Sequence, residues 1–255
     1  MKLPLTLLII TLNEERNIER CIRSVPFASQ VLVVDSHSKD QTRAIAASLG
    51  AQVIEQDWLG YGLQKKRGTE IAQYDWILSL DADETLSPEL VQEIQQKWDS
   101  LEPEVGYEMP RKSFHLGRWI RYGGWYPDYQ LRLYHRKHSQ WPDQQIHERV
   151  WARRVEKFSQ PLLHYVFKNL WDQVETNNRY SSLLAEKDYL SGKQFSIFKL
   201  IFKPWSKFLE CYFLKLGFLD GIAGFVIAVS AGYSIFLRGC KVWELQKGMG
   251  KDEKI

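Results

Sequence analysis

Apolar and polar positions alternate in blocks along the first hundred residues. Leu5 to Thr11 is a mostly apolar run, followed by a polar loop at Leu12-Asn13-Glu14 and a helix from about Arg16 to Ser24. Gln30 to Val34 is a second apolar run ending at Asp35, and a helix through Ala44, Ile45, Ala46 and Leu49 stops at Gly50. Ala51 to Glu55 reads as a third strand, Lys65 to Ala72 as a basic helix, and Trp76 to Leu80 as a fourth strand. Strands alternating with helices at this spacing predict βαβ units and a largely parallel sheet. After Trp98 this sheet pattern breaks up into a basic, aromatic region. Further on, Trp171 to Tyr189 reads as an amphipathic helix with Gly192 after its end.

Composition narrows the class. The 255 residues suffice for one sizeable α/β domain with a smaller addition, and 44% hydrophobic content predicts a folded chain. A net charge of +3 gives no sign of a nucleic-acid partner. The three cysteines, Cys21, Cys211 and Cys240, lack metal spacing and fit a reducing cytosol. LPLTLLIIT lacks the basic n-region and cleavage site of a signal peptide and is expected to be a buried first strand.

Candidate chemistry sits at strand ends. The fourth strand stops at Asp81 and Asp83, with Ala82 between them. Ligands of open α/β sheets bind beyond the carboxyl ends of the strands. Two carboxylates there suit Mg²⁺ or Mn²⁺ shared with substrate phosphates. The alternative is a polar strand end in which Asp83 caps the helix started by Pro88. Asp35 has two readings as well: a nucleoside ligand, or the opener of an Asx-type turn with Ser38 and Asp40. Lys65, Lys66 and Arg67 either neutralise a diphosphate or form a solvated helix face.

The segments IITLNEERNIERCIRSV, VVDSHSKDQTRAIA and KKRGTEIAQYDWILSLDADE together resemble glycosyltransferase family 2, inverting nucleotide-sugar enzymes of the GT-A fold. The resemblance implies a Rossmann-like, mostly parallel α/β sheet flanked by helices. The GT-A catalytic domain would span 1–168, with a nucleotide-sugar half to about 100 and an acceptor half from about 101. A helical C-terminal region would follow over 169–255. By the same resemblance Thr11, Asn13, Glu14, Asp35, Lys66, Arg67 and Asp81 belong to the nucleotide-sugar site. Asp83, Asp81 and His164 would hold the metal. Glu148 is the first candidate for the base that removes the acceptor proton and Asp128 the second. A salt bridge to Arg149 or Arg153 is the other reading of Glu148, and a core histidine the other reading of His164. Gly123, Gly124, Trp125 and Tyr126 offer backbone approach and aromatic faces to an acceptor sugar, or else form a hairpin turn with core aromatics.

GGWYPDYQLRLY, IHERV, PLLHYVFKNL and GFLDGIAGF extend the resemblance to a bacterial subgroup that adds glucose from UDP-glucose to a heptose of the lipopolysaccharide inner core. Phe195 to Leu216 interleaves Lys199, Lys203, Lys207 and Lys215 with aromatic residues, the pattern of a helix on an anionic membrane. Ile222 to Leu237 is uncharged but short for a span. A cytoplasmic enzyme, peripheral to the inner membrane, is expected. Two other readings compete: a Mg²⁺-dependent phosphatase of the haloacid-dehalogenase type, since Asp81 to Thr85 matches D-x-D-x-T, and a non-catalytic, membrane-docked sugar-binding protein.

Overall fold

The computed structural model describes residues 2–141 and 150–249. They form two compact units, one from Met1–Lys112 with Pro127–Tyr165, the other from Ser113–Tyr126 with Val166–Ile255.

The first unit opens with β1 (Leu3–Thr11), α1 (Ile18–Arg23), β2 (Ala28–Asp35), α2 (Thr42–Ser48) and β3 (Gln52–Glu55). Next come α3 (Tyr61–Ile71), β4 (Trp76–Asp81), β5 (Glu84–Leu86), α4 (Pro88–Lys97) and β6 (Val105–His115). After β7 (Arg118–Trp119), which belongs to the second unit, the chain returns through β8 (Asp128–His135), β9 (Ser139–Gln140), β10 (Trp151–Ala152), β11 (Arg154–Lys157) and β12 (Leu162–His164). The main sheet runs β3-β2-β1-β4-β8-β6-β12-β5. β1, β2, β3 and β4 pair in parallel, whereas β8 joins β4 and β6 antiparallel.

Leu5, Leu7, Leu8 and Ile9 are fully buried on both faces of β1, as expected for a central strand covered by helices. One cover is α3, whose inner face carries Gln64, Lys65, Gly68 and Thr69. A methyl at Gly68 would stand 2.2 Å from Leu8 Cδ1, so the glycine sets how closely and in what phase α3 lies on β1.

The sheet does not end at Trp98, where its sequence pattern fades. β6 and β8 continue it, and their half-buried and buried arginines are tolerated because Arg111 pairs with Asp128 and Glu84, and Arg132 with Asp81 and Glu84. Asp83 is not the cap of α4. Ser87 Oγ accepts from Leu90 N, with Pro88 in the first turn.

The second unit holds α5 (Leu170–Leu190), α6 (Ile197–Leu209) and α7 (Gly221–Gln246). The sequence reading ends the last apolar segment at Leu237, but α7 continues through Arg238 and Lys241 over 26 residues. By length and composition, Gly217–Gln246 could cross a membrane. Small residues set the packing in this unit. Gly232 admits the Pro204 carbonyl of α6, and Gly224 admits the Gly217 carbonyl.

Candidate active site

Parallel register brings three sequence-predicted residues to one end of the sheet. Thr11 lies opposite Asp35 across β1 and β2, and Ile10 lies opposite Asp81 across β1 and β4. Asp83 follows at once, and His164 on β12 is the cross-strand partner of Glu84.

Asp81 is flanked by cations. Lys65 Nζ is 2.8 Å from its Oδ1 and Arg132 Nη2 donates to its Oδ2 at 2.7 Å. The same Arg132 nitrogen donates to Glu84 Oε1 at 2.6 Å, and Glu84 Oε2 accepts the Asp81 amide at 3.1 Å. Arg111 extends the chain, reaching Glu84 at 3.3 Å and Asp128 at 2.6 Å. Three acids thus alternate with three bases. Burial alone would raise the Asp81 pKa, but Arg132 and Lys65 outweigh it and hold the carboxyl far below its usual range. Burial pushes the Lys65 ammonium down despite its acidic neighbours.

Asp83 stands outside this balanced chain. Its Oδ2 lies 3.3 Å from His164 Nε2, and its side chain is 28% exposed. The peptide is fixed as well, since Tyr165 N donates to Asp83 O at 2.9 Å. Among the described residues no three His, Cys, Asp or Glu side chains converge on a point that could hold an ion. A carboxylate and an imidazole still fit a divalent ion that completes its shell with phosphate and water oxygens, as Mg²⁺ sites commonly do.

The loops that follow β1 and β2 are stitched together. Asn13, in the left-handed region at φ 55°, donates its amide to Ser38 Oγ and accepts Lys39 N on Oδ1, each at 2.8 Å. Ser38 in turn donates its amide and its hydroxyl to the two Asp35 oxygens. Glu14 N donates to Thr42 Oγ1 at 2.8 Å. Asp35 is therefore fully buried and forms the Asx-type turn with Ser38. Thr11 Oγ1 is buried with no hydrogen-bond partner among the described residues.

The profile of glycosyl transferase family 2 matches residues 6–159, which include Thr11, Asp35, Asp81 and Asp83 and stop short of His164. The chain belongs to glycosyl transferase family 2. It is a glycosyltransferase, and the phosphatase reading of D-x-D-x-T is set aside. The transferase is 29% identical to the lipopolysaccharide core biosynthesis glycosyltransferase LpsC of Rhizobium meliloti, over 95% of this chain and 93% of that one. It is 33% identical to an uncharacterized glycosyltransferase of Rickettsia bellii, over 93% of this chain and 85% of that one. Among solved structures it is similar to glucosyl-3-phosphoglycerate synthase of Mycobacterium tuberculosis, with 24% identity and a TM-score of 0.35 over 44% of each chain.

The remaining sequence-predicted residues of the transferase scatter. Lys66 is half-buried on α3, and Arg67 is exposed, 3.7 Å from Glu70. Glu148 lies outside the described residues. Asp128 accepts from Arg111 on Oδ2 and from Gln130 on Oδ1, so both of its oxygens are engaged. Gly123, Gly124, Trp125 and Tyr126 belong to the second unit. There Gly123 N donates to Lys215 O, and Trp125 packs on Ile120, Ala223 and Ile227. Arg132, Arg111 and Glu84 were not singled out as site residues from sequence. A lone arginine inside the apolar run Leu131-Arg132-Leu133 is the available signal, because a buried guanidinium demands a carboxylate partner.

Proposed function

We propose that the transferase moves a hexose, glucose by preference, from a UDP-sugar to a heptose of the lipopolysaccharide inner core, with inversion. The observation that carries this reading is the pairing of Asp83 with His164 beside a charge-balanced Asp81, at the sheet end where nucleotides bind. The kinship with LpsC supports a core-saccharide acceptor.

Asp83 and His164 would hold Mg²⁺ or Mn²⁺, which when bound offsets the charge on the departing diphosphate. Lys65 and Arg132 keep Asp81 ionised and fixed, so that it can orient the donor instead of repelling Asp83. Thr11, whose buried hydroxyl has no partner among the described residues, borders the nucleoside, and Asp35, Asn13 and Glu14 shape the loops around it. Lys66 and Arg67 border the diphosphate side. Glu148 takes the acceptor proton. Asp128, held by Arg111 and Gln130, is less free to do so. Gly123 to Tyr126 serve the acceptor side through the second unit.

An anionic membrane surface is the proposed setting, on the cytoplasmic face of the inner membrane. Along α6, Phe198, Ile201, Phe202 and Trp205 are exposed, with Lys199, Lys203 and Lys207 among them. Labelled UDP-glucose, UDP-galactose and UDP-N-acetylglucosamine offered with a truncated core lipid test the reading. Transfer from one donor to heptose is expected, and no transfer from any UDP-sugar contradicts it.

A further inference from the structure

The second unit holds a cleft of about 620 Å³, lined among others by Phe114, Arg118, Trp119, Arg121, Tyr122 and Leu219. It is built on a tight hairpin. Phe114 pairs with Trp119 and His115 with Arg118, across a two-residue loop in which Leu116 and Gly117 both have positive φ, 49° and 78°. Phe114 and Trp119 meet edge to face, with ring centroids 5.2 Å apart. The opposite wall is pinned by Asp220, which is fully buried. Its Oδ2 accepts the amides of Arg121 and Tyr122 at 3.0 and 2.8 Å, and its carbonyl accepts Arg118 Nη1 at 2.8 Å.

This anchoring fixes the backbone of Arg121 but leaves its guanidinium free. Among the described residues it makes no hydrogen bond or ion pair. A guanidinium held at the mouth of an aromatic cleft suits an anionic oxygen, bound bidentately. Tryptophan and tyrosine faces suit the apolar side of a sugar ring. Immediately beyond Leu219 the surface turns apolar, with Phe218, Leu219 and Phe225 exposed and Ile222 83% exposed. That edge fits acyl chains.

We propose that this cleft binds a phosphorylated saccharide carried on a lipid, its ring on Trp119 and Tyr122 and its phosphate on Arg121. The inference rests on the acceptor reading above and adds the site and the charge of that acceptor. Arg118, tied to Asp220, positions the wall, and Arg121 selects the ligand.

Calorimetry on the full chain separates the possibilities, using a phosphorylated heptose oligosaccharide without lipid, the same oligosaccharide after phosphatase treatment, and phosphatidylglycerol vesicles. Loss of one charge-assisted contact predicts about 10- to 100-fold weaker binding of the phosphorylated oligosaccharide by Arg121→Ala, with partial recovery in Arg121→Lys. The phosphatase-treated ligand should bind wild type and Arg121→Ala alike, and both proteins should bind vesicles equally. Trp119→Ala should weaken both oligosaccharides, with Trp119→Phe as the milder variant should the alanine protein not fold. Equal binding of the phosphorylated ligand by wild type and Arg121→Ala overturns the proposal. So does an Arg121→Ala defect confined to vesicles, which assigns the arginine to a lipid headgroup. Oligosaccharide binding without any sugar transfer to it by the wild type removes the acceptor reading proposed above and leaves the cleft's ligand intact.

Discussion

His164 Nε2 stands 3.3 Å from Asp83 Oδ2, brought there by the antiparallel pairing of β12 with β5. On the function proposed above, this pair receives the cation. His164→Ala should weaken Mn²⁺ binding in the presence of UDP about 10- to 100-fold, the range in which loss of a metal-site partner falls. Calorimetric titration checks this, and unchanged affinity would return His164 to the role of a core histidine.

Arg132 bridges the half-buried Asp81 and the fully buried Glu84. Arg132→Met should lower unfolding free energy by about 3–5 kcal/mol at neutral pH, the usual cost of removing one partner from a buried pair. Because Arg132 and Lys65 depress the Asp81 pKa against burial, that stability is present above the unfolded carboxylate pKa and lost as pH falls. The gap between mutant and wild type should therefore narrow in acid. Urea denaturation across a pH series measures it, and a deficit below about 1 kcal/mol at pH 7 would contradict the assignment.

Gly68→Ala places a methyl 2.2 Å from a terminal carbon of Leu8, which is itself fully buried. Overpacking by about 1–3 kcal/mol should exceed the gain in helix propensity of up to about 1 kcal/mol. A lower melting temperature is expected, and Leu8→Val should restore part of it in the double variant. Additive losses in the two variants would mean that the contact does not limit packing.

Much of the first unit is legible in sequence because its parallel strands are apolar on both faces and end at recognisable acids. The phase of α3 is not. Lys66 and Arg67 look equivalent to Lys65 in a basic run, and only the need of Gly68 to face Leu8 turns Lys65 toward Asp81. β6 and β8 were obscured for a related reason. Their arginines interrupt the apolar pattern, and their partners Glu84 and Asp81 lie far away in sequence. The cap at Ser87 is legible in Ser-Pro-Glu-Leu, a serine directly before a proline that opens the helix.

In the second unit Asp188 of α5 is clasped by Arg238 of α7, Nε at 2.7 Å, and by Lys193. The Arg238 hydrogen bond leads in holding its pKa down at about 2. A depressed carboxyl contributes stability above its unfolded pKa of ~4 and loses it as pH falls toward 2. Asp188→Asn should cost about 2 kcal/mol at pH 7, with the difference fading between pH 4 and 2. Thermal melts at several pH values check this, and a pH-independent difference would implicate packing instead of charge.

The most direct test of the account is calorimetric titration of UDP into wild type and Asp83→Asn, each with Mn²⁺ and with EDTA. The account predicts tight binding only by the wild type with Mn²⁺, and weak, equal binding in the other three conditions. UDP binding by the wild type that is as strong in EDTA as in Mn²⁺ would contradict it.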